Sequence, residues 1–177
     1  SDAEFGAPVN ADGTGDDLSG TDDEDGVTLP AYAIPGASSS MTVNVTNTSG
    51  ATAYLNVWMD FNRNGSLNDA GEHVSANATV ANGTSNANRT VNFTAPATSG
   101  SVPVRVRLTS VATPGNAGPA GNGEVEDQLL QVGLPSTDLA VYKTGPLTVT
   151  GSSLFSYVIR VCNNGDITAN NVVVQDP

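Results

Sequence analysis

Short runs of alternating apolar and polar residues, broken by Gly, Pro and Asn clusters, make up most of this chain. The cleanest run is Ser40-Met41-Thr42-Val43-Asn44-Val45-Thr46-Asn47, whose period of two predicts a strand with Met41, Val43 and Val45 on its buried face. Residues 27–29 predict a first strand, followed by a Pro35-Gly36 turn. Residues 53–61 form the most hydrophobic run, hold the sole tryptophan, Trp58, and predict a central strand. Residues 72–80 and 89–94 predict two more. Val102-Pro103-Val104-Arg105-Val106-Arg107-Leu108 alternates Val and Leu with Pro and Arg, which predicts a strand buried on one side only. Residues 125–132 close the series. Nowhere do apolar residues recur at helical spacing. About seven short strands punctuated by turns predict an antiparallel β-sandwich over residues 26–133, in an all-β chain.

Residues 134–137 read as a linker, and a second unit begins at Asp138. It offers strand-like runs at 139–143, 147–149, 155–161 and 171–174. So few strands in residues 138–177 cannot bury both faces of a sandwich. The unit is therefore expected to be incomplete, with its missing strands in a longer chain or supplied by another one.

Charge narrows the function. Eighteen acids against six bases give a net charge of −12. That excludes nucleic acid and anionic membrane surfaces as partners. The sequence contains no apolar run long enough for a membrane span. With one His and one Cys, nucleophile–base pairs are nearly absent, and no catalytic residues are expected. Nine acids and no base fall in residues 1–25, an acidic segment expected to be loop unless something neutralises it. Low Lys and Cys with high Ser and Thr fit a secreted or cell-surface protein. Sequons occur at Asn44, Asn47, Asn64, Asn77, Asn82, Asn88 and Asn92, although a chain this rich in Asn, Ser and Thr generates several by chance.

Candidate chemistry sits in the loop from Asp60 to Glu72. Asp60, Asn62 and Asn64 place oxygen side chains at alternate positions. Gly65 permits a sharp turn, Ser66 can offer its carbonyl, and Glu72 can close the shell around a Ca²⁺ ion. The logic is that of an EF-hand loop, with the glutamate one position later and strands, not helices, expected on either side. The alternative is an Asx-rich hairpin turn bonded only to its own backbone. A second group joins Asp22, Asp23, Glu24 and Asp25 to Glu124, Glu126 and Asp127, with Asp23, Asp25, Glu124, Glu126 and Asp127 as candidate ligands if the first and last strands are neighbours. Alternation puts Glu124, Glu126 and Gln128 on one face of their strand, with Val125 and Asp127 on the other. Arg105 or Arg107 paired with Glu124 or Glu126, or a solvated acidic edge, would account for the same residues.

Single residues add less. His73 has no second histidine, which argues against zinc. Cys162 has no partner in the chain. Lys143 with Asn163 or Asn164 could suggest an isopeptide link, but no acid is at hand to activate it. Trp58 reads as core, with sugar stacking as its other use.

Gly123-Glu124-Val125-Glu126-Asp127 resembles the signature of the GEVED domain of large bacterial and archaeal surface proteins. The acidic opening Asp22-Asp23-Glu24-Asp25-Gly26-Val27, the loop Trp58-Met59-Asp60-Phe61-Asn62-Arg63-Asn64-Gly65 with Gly71-Glu72, and the strand Val104-Arg105-Val106-Arg107-Leu108 resemble that family in the same order. Gln128 departs from it, standing where an aromatic residue is usual. Residues 138–177 resemble the first half of a conserved-repeat Ig-like surface domain, through Asp138-Leu139-Ala140-Val141-Tyr142-Lys143, the run from Tyr157 to Gly165 and the run from Asn171 to Pro177. The resemblance says little about activity and implies a modular extracellular stalk, adhesin or surface-layer context; with no nucleophile–base pair in the sequence, a non-enzymatic, calcium-stabilised structural module of a cell-surface protein is expected. Its expected partners are adjacent domains or copies of the same protein, with surface glycans as a further class. A filament subunit completed by strands of another chain, and a calcium-dependent carbohydrate-binding module, are the alternative expectations.

Overall fold

The computed structural model describes residues 26–118 and 123–176. Among the described residues there are nine strands and no helix. The chain divides after Leu134 into two compact units.

The first unit is the sandwich that alternation predicts. One sheet has three strands in the order β1 (Val27–Thr28), β2 (Ser38–Asn47), β5 (Thr84–Thr94). The other has four, in the order β4 (His73–Val80), β3 (Ala53–Met59), β6 (Gly100–Thr109), β7 (Gly123–Val132). Every ladder is antiparallel. A single parallel bridge joins Ala33 to Val132. Met41, Val43, Val45, Val91 and Phe93 face Leu55, Val57, Met59, Val102, Val104, Val106 and Leu130 across one continuous buried core. Burial of such side chains at about 25 cal/mol per Å² is what holds the two sheets together. Asn47 ends β2 as a buried anchor: its Nδ2 donates to the carbonyls of Ala51 and Val80, both at 2.8 Å, and its Oδ1 accepts from Ser49. The opposite face of β2 and β5 is a carpet of Ser, Thr and Asn, in which Asn44 Nδ2 donates to Asn88 Oδ1 at 2.8 Å. Of the sequon asparagines, Asn44, Asn88 and Asn92 are exposed on it, whereas Asn47 is buried.

β6 departs from expectation. It is buried on both sides, and Arg105 and Arg107 are 2% and 1% exposed. Alternation between valine and arginine reads as core-facing and solvent-facing only if nothing covers the outer face. Here the segment between β6 and β7 does. Arg105 Nη1 donates to the Asn116 carbonyl at 3.0 Å, while Arg107 donates to the carbonyls of Gly115 at 2.8 Å and Gly118 at 2.7 Å.

The second unit is a two-stranded antiparallel sheet of β8 (Leu139–Thr144) and β9 (Val158–Asn163), with Val141 opposite Val161. The runs at 147–149 and 171–174 are not strands. Valine-rich composition favours a pleated, half-buried surface, but a strand also needs a ladder partner, and neither run has one among the described residues. Leu147, Leu154 and Phe155 are exposed. Lys143 Nζ lies 2.6 Å from Asp176 Oδ1 and 4.0 Å above the Tyr157 ring, and the Tyr157 hydroxyl also donates to Asp176. Lysine and carboxylate are thus paired as ions, and Asn163 turns instead to the Ile167 carbonyl. Cys162 is half-buried and has no disulfide.

Candidate functional site

β3 and β4 flank the loop from Asp60 to Glu72, so the turn joins two strands as its spacing predicted. Asp60 is buried and anchors it. Its Oδ1 accepts from the Asn64 amide at 3.1 Å and its Oδ2 from the Gly65 amide at 2.8 Å. The chain turns inward because each short polar side chain captures the amide two residues on: Asn62 Oδ1 takes that of Asn64, Asn64 Oδ1 that of Ser66, and Ser66 Oγ that of Asn68. Three residues of the loop have the left-handed backbone, Arg63 at φ 61°, Gly65 at φ 79° and Gly71 at φ 90°.

Glu72 closes the loop from the far side. It is 2% exposed. Its Oε1 accepts from the Asn62 amide at 3.4 Å, but its Oε2 is buried with no hydrogen-bond partner among the described residues. Burial raises the Glu72 carboxyl above the usual carboxylate range; the Asn62 amide pulls the other way, and the charges of Asp60 and Asp69 add to the rise. An orphaned buried acceptor of this kind costs about 1–3 kcal/mol.

Asp69 is a member of the cluster that spacing alone passed over. Its Oδ2 accepts from Asn62 Nδ2 at 2.8 Å and from Asn64 Nδ2 at 2.7 Å, which holds its carboxyl below the ordinary range. The signal was present in the sequence, three positions before Glu72, where the Glu72 amide donates back to the Asp69 carbonyl at 3.2 Å.

The floor of the site is one cross-strand row. His73 of β4 lies opposite Trp58 of β3, Trp58 opposite Arg105 of β6, and Arg105 opposite Asp127 of β7. The His73 and Trp58 rings stack with centroids 4.4 Å apart. Leu67 of the loop packs on Trp58. Trp58 is buried and Phe61 is half-buried against the core, so neither offers the loop an open aromatic face for a sugar.

In the second candidate group, Asp127 lies on one face of β7 and Glu124 and Glu126 on the other, as alternation predicts. Asp127 forms a buried bidentate pair with Arg105, at 2.7 Å from Nε and 2.5 Å from Nη2. It sits on the outer face of its sheet. Glu124 and Glu126 lie opposite Leu108 and Val106, on the inner face, where they line a cleft of about 280 Å³ with Gly26 and Asn44. Asp127 is thus an arginine partner in this group. Asp23 and Asp25, with Asp22 and Glu24, lie outside the described residues. No group of three or more His, Cys, Asp or Glu residues stands at metal-binding distance among the described residues. The loop's remaining oxygens come from Asn and Ser.

A family model matches part of this chain. It is the GEVED domain, over residues 54–131. The matched span runs from within β3 to the penultimate residue of β7, and so contains the whole loop and the row beneath it. The match does not reach the second unit. GEVED domains are found in extracellular and surface proteins. No match was found among curated proteins or among solved structures. In this fold the GEVED signature has a structural reading. Gly123 lets β7 approach β6 so closely that a Cβ there would stand 2.1 Å from the Leu108 carbonyl oxygen. Val125 is buried, Glu126 packs against Gly26, and Asp127 answers Arg105. Among the described residues no helix is long and apolar enough to cross a membrane.

Proposed function

We propose that this chain is a non-enzymatic extracellular structural module of a cell-surface protein, a stalk or adhesin segment, whose sandwich is stabilised by calcium in the 60–72 loop. The observation that carries the reading is the Glu72 carboxylate. It is buried, raised by burial and by the like charges of Asp60 and Asp69, and has one oxygen without a hydrogen-bond partner among the described residues. A divalent cation supplies the missing partner and offsets the repulsion. Asp60, Asn62, Asn64, the Ser66 carbonyl and Glu72 are the donors, with Asp69 beside them. All are hard oxygens, as Ca²⁺ prefers. Cation binding to the folded state alone then becomes folding free energy. Isothermal titration of calcium into the metal-free chain tests this. Binding with a Kd near or below about 10⁻³ M, abolished in E72Q, supports it; the absence of heat and of any thermal shift overturns it.

A second reading, that of a filament subunit completed by another chain, draws on the second unit. Val141 is 60% exposed and lies opposite Val161 on a sheet that has two strands among the described residues. Concentration-dependent association in sedimentation, lost in V141K, favours it; a strictly monomeric chain removes it.

A further inference from the structure

We infer that calcium occupancy of the 60–72 loop is transmitted to the crossover between the two sheets through Arg63; this rests on the cation reading above.

Arg63 belongs to the loop only by its backbone. Its amide donates to the Asp60 carbonyl at 3.3 Å, and its φ of 61° is a left-handed conformation that a residue with a Cβ holds only when its surroundings impose it. The Asp60 and Asn62 turns impose it here. The side chain leaves the loop altogether. Its Nε donates to the Ser101 carbonyl at 2.9 Å, Nη1 to Thr98 Oγ1 at 3.0 Å, and Nη2 to the carbonyls of Thr98 at 2.9 Å and Gly100 at 3.3 Å. Gly100 has φ 132°, and a Cβ on it would stand 3.3 Å from the guanidinium carbon, so the turn is shaped to receive the fork.

That turn joins β5 of the three-stranded sheet to β6 of the four-stranded one. Three of its backbone carbonyls and a hydroxyl converge on one guanidinium, whose rigid planar geometry ties acceptor positions together more closely than an ammonium could. The guanidinium stands in place only while the loop is wrapped, because unwrapping releases the strained φ on which the side chain's direction depends. A cation that favours the wrapped loop then also fastens the crossover. By linkage, fastening the crossover tightens the cation by the same factor.

Hydrogen–deuterium exchange on the full chain, with calcium and with EDTA, tests the link in the native protein and in R63G. Glycine adopts the left-handed φ without strain, so R63G keeps the backbone and removes only the reach. The expected result is calcium-dependent protection at both 60–72 and 97–101 in the native chain, and at 60–72 alone in R63G. Calcium affinity in R63G should fall about fivefold or more. Protection confined to 60–72 in the native chain overturns the link while leaving the cation reading intact. Protection at 97–101 that survives in R63G also overturns the link alone. No calcium effect at either segment overturns both.

Discussion

Two buried acids of the same sandwich, one on a strand and one in a loop, meet opposite fates. Asp127 is held by both arms of Arg105 on the neighbouring strand, a pair closed within the protein. Glu72 is equally buried, but one of its oxygens has no partner among the described residues, and its neighbours Asp60 and Asp69 are acids. The first arrangement supplies its own counter-charge and has no need of an ion. The second stores electrostatic cost in a loop whose remaining donors are oxygens. Two buried acids of one sandwich thus differ in whether the described residues themselves supply the partner.

The comparison breaks most sharply at Asp127. D127A removes the carboxylate that both arms of the buried Arg105 guanidinium grip, and should cost about 3–5 kcal/mol in urea unfolding, with the calcium response of the remaining fold unchanged. A loss below about 1 kcal/mol would mean that Asp127 is no better answered than a surface ion pair. Calcium comes next. At a hundredfold excess over Kd the native chain should gain about 2.7 kcal/mol over its EDTA-treated form, seen as a rise in Tm by calorimetry. Identical melts would remove the distinction between the two acids.

E72Q sharpens the contrast further. Because folding raises the Glu72 carboxyl, the folded metal-free chain binds the proton more tightly than the unfolded chain. Its stability should therefore fall as pH rises from the usual glutamate value of 4.5 through the raised one. E72Q should flatten that slope, exceed the native chain in stability without calcium at neutral pH, and fall below it with calcium. Curves that do not cross would rule out the role given to Glu72. The smallest effect belongs to Asp69, which is exposed and lowered by its two asparagine partners. D69N should cost a little stability above the acid range, and the difference from the native chain should vanish as pH falls through the lowered value.

Local features were legible in the sequence, and distant ones were not. The alternation of residues 40–47 announced β2 because burial of every second side chain is a property of one strand. The Asp60–Glu72 spacing was legible for the same reason, since its bonds span at most ten residues. Arg105 and Arg107 misled because their carbonyl acceptors and Asp127 arrive from another segment of the chain. Arg63 could not be read at all, since its acceptors lie 35 or more residues away. In the second unit, composition alone pointed to four strands, and pairing produced two.

The burial of β6 has a further consequence for resistance to proteolysis. The sandwich carries only four basic residues, Arg63, Arg89, Arg105 and Arg107. The last two sit mid-strand, flanked by β3 and β7, with side chains out of reach. A trypsin-like protease must bind an extended segment and swallow its basic side chain. Half of the possible scissile bonds in this unit are therefore hidden until the fold opens, and digestion there becomes a measure of unfolding rather than of exposure.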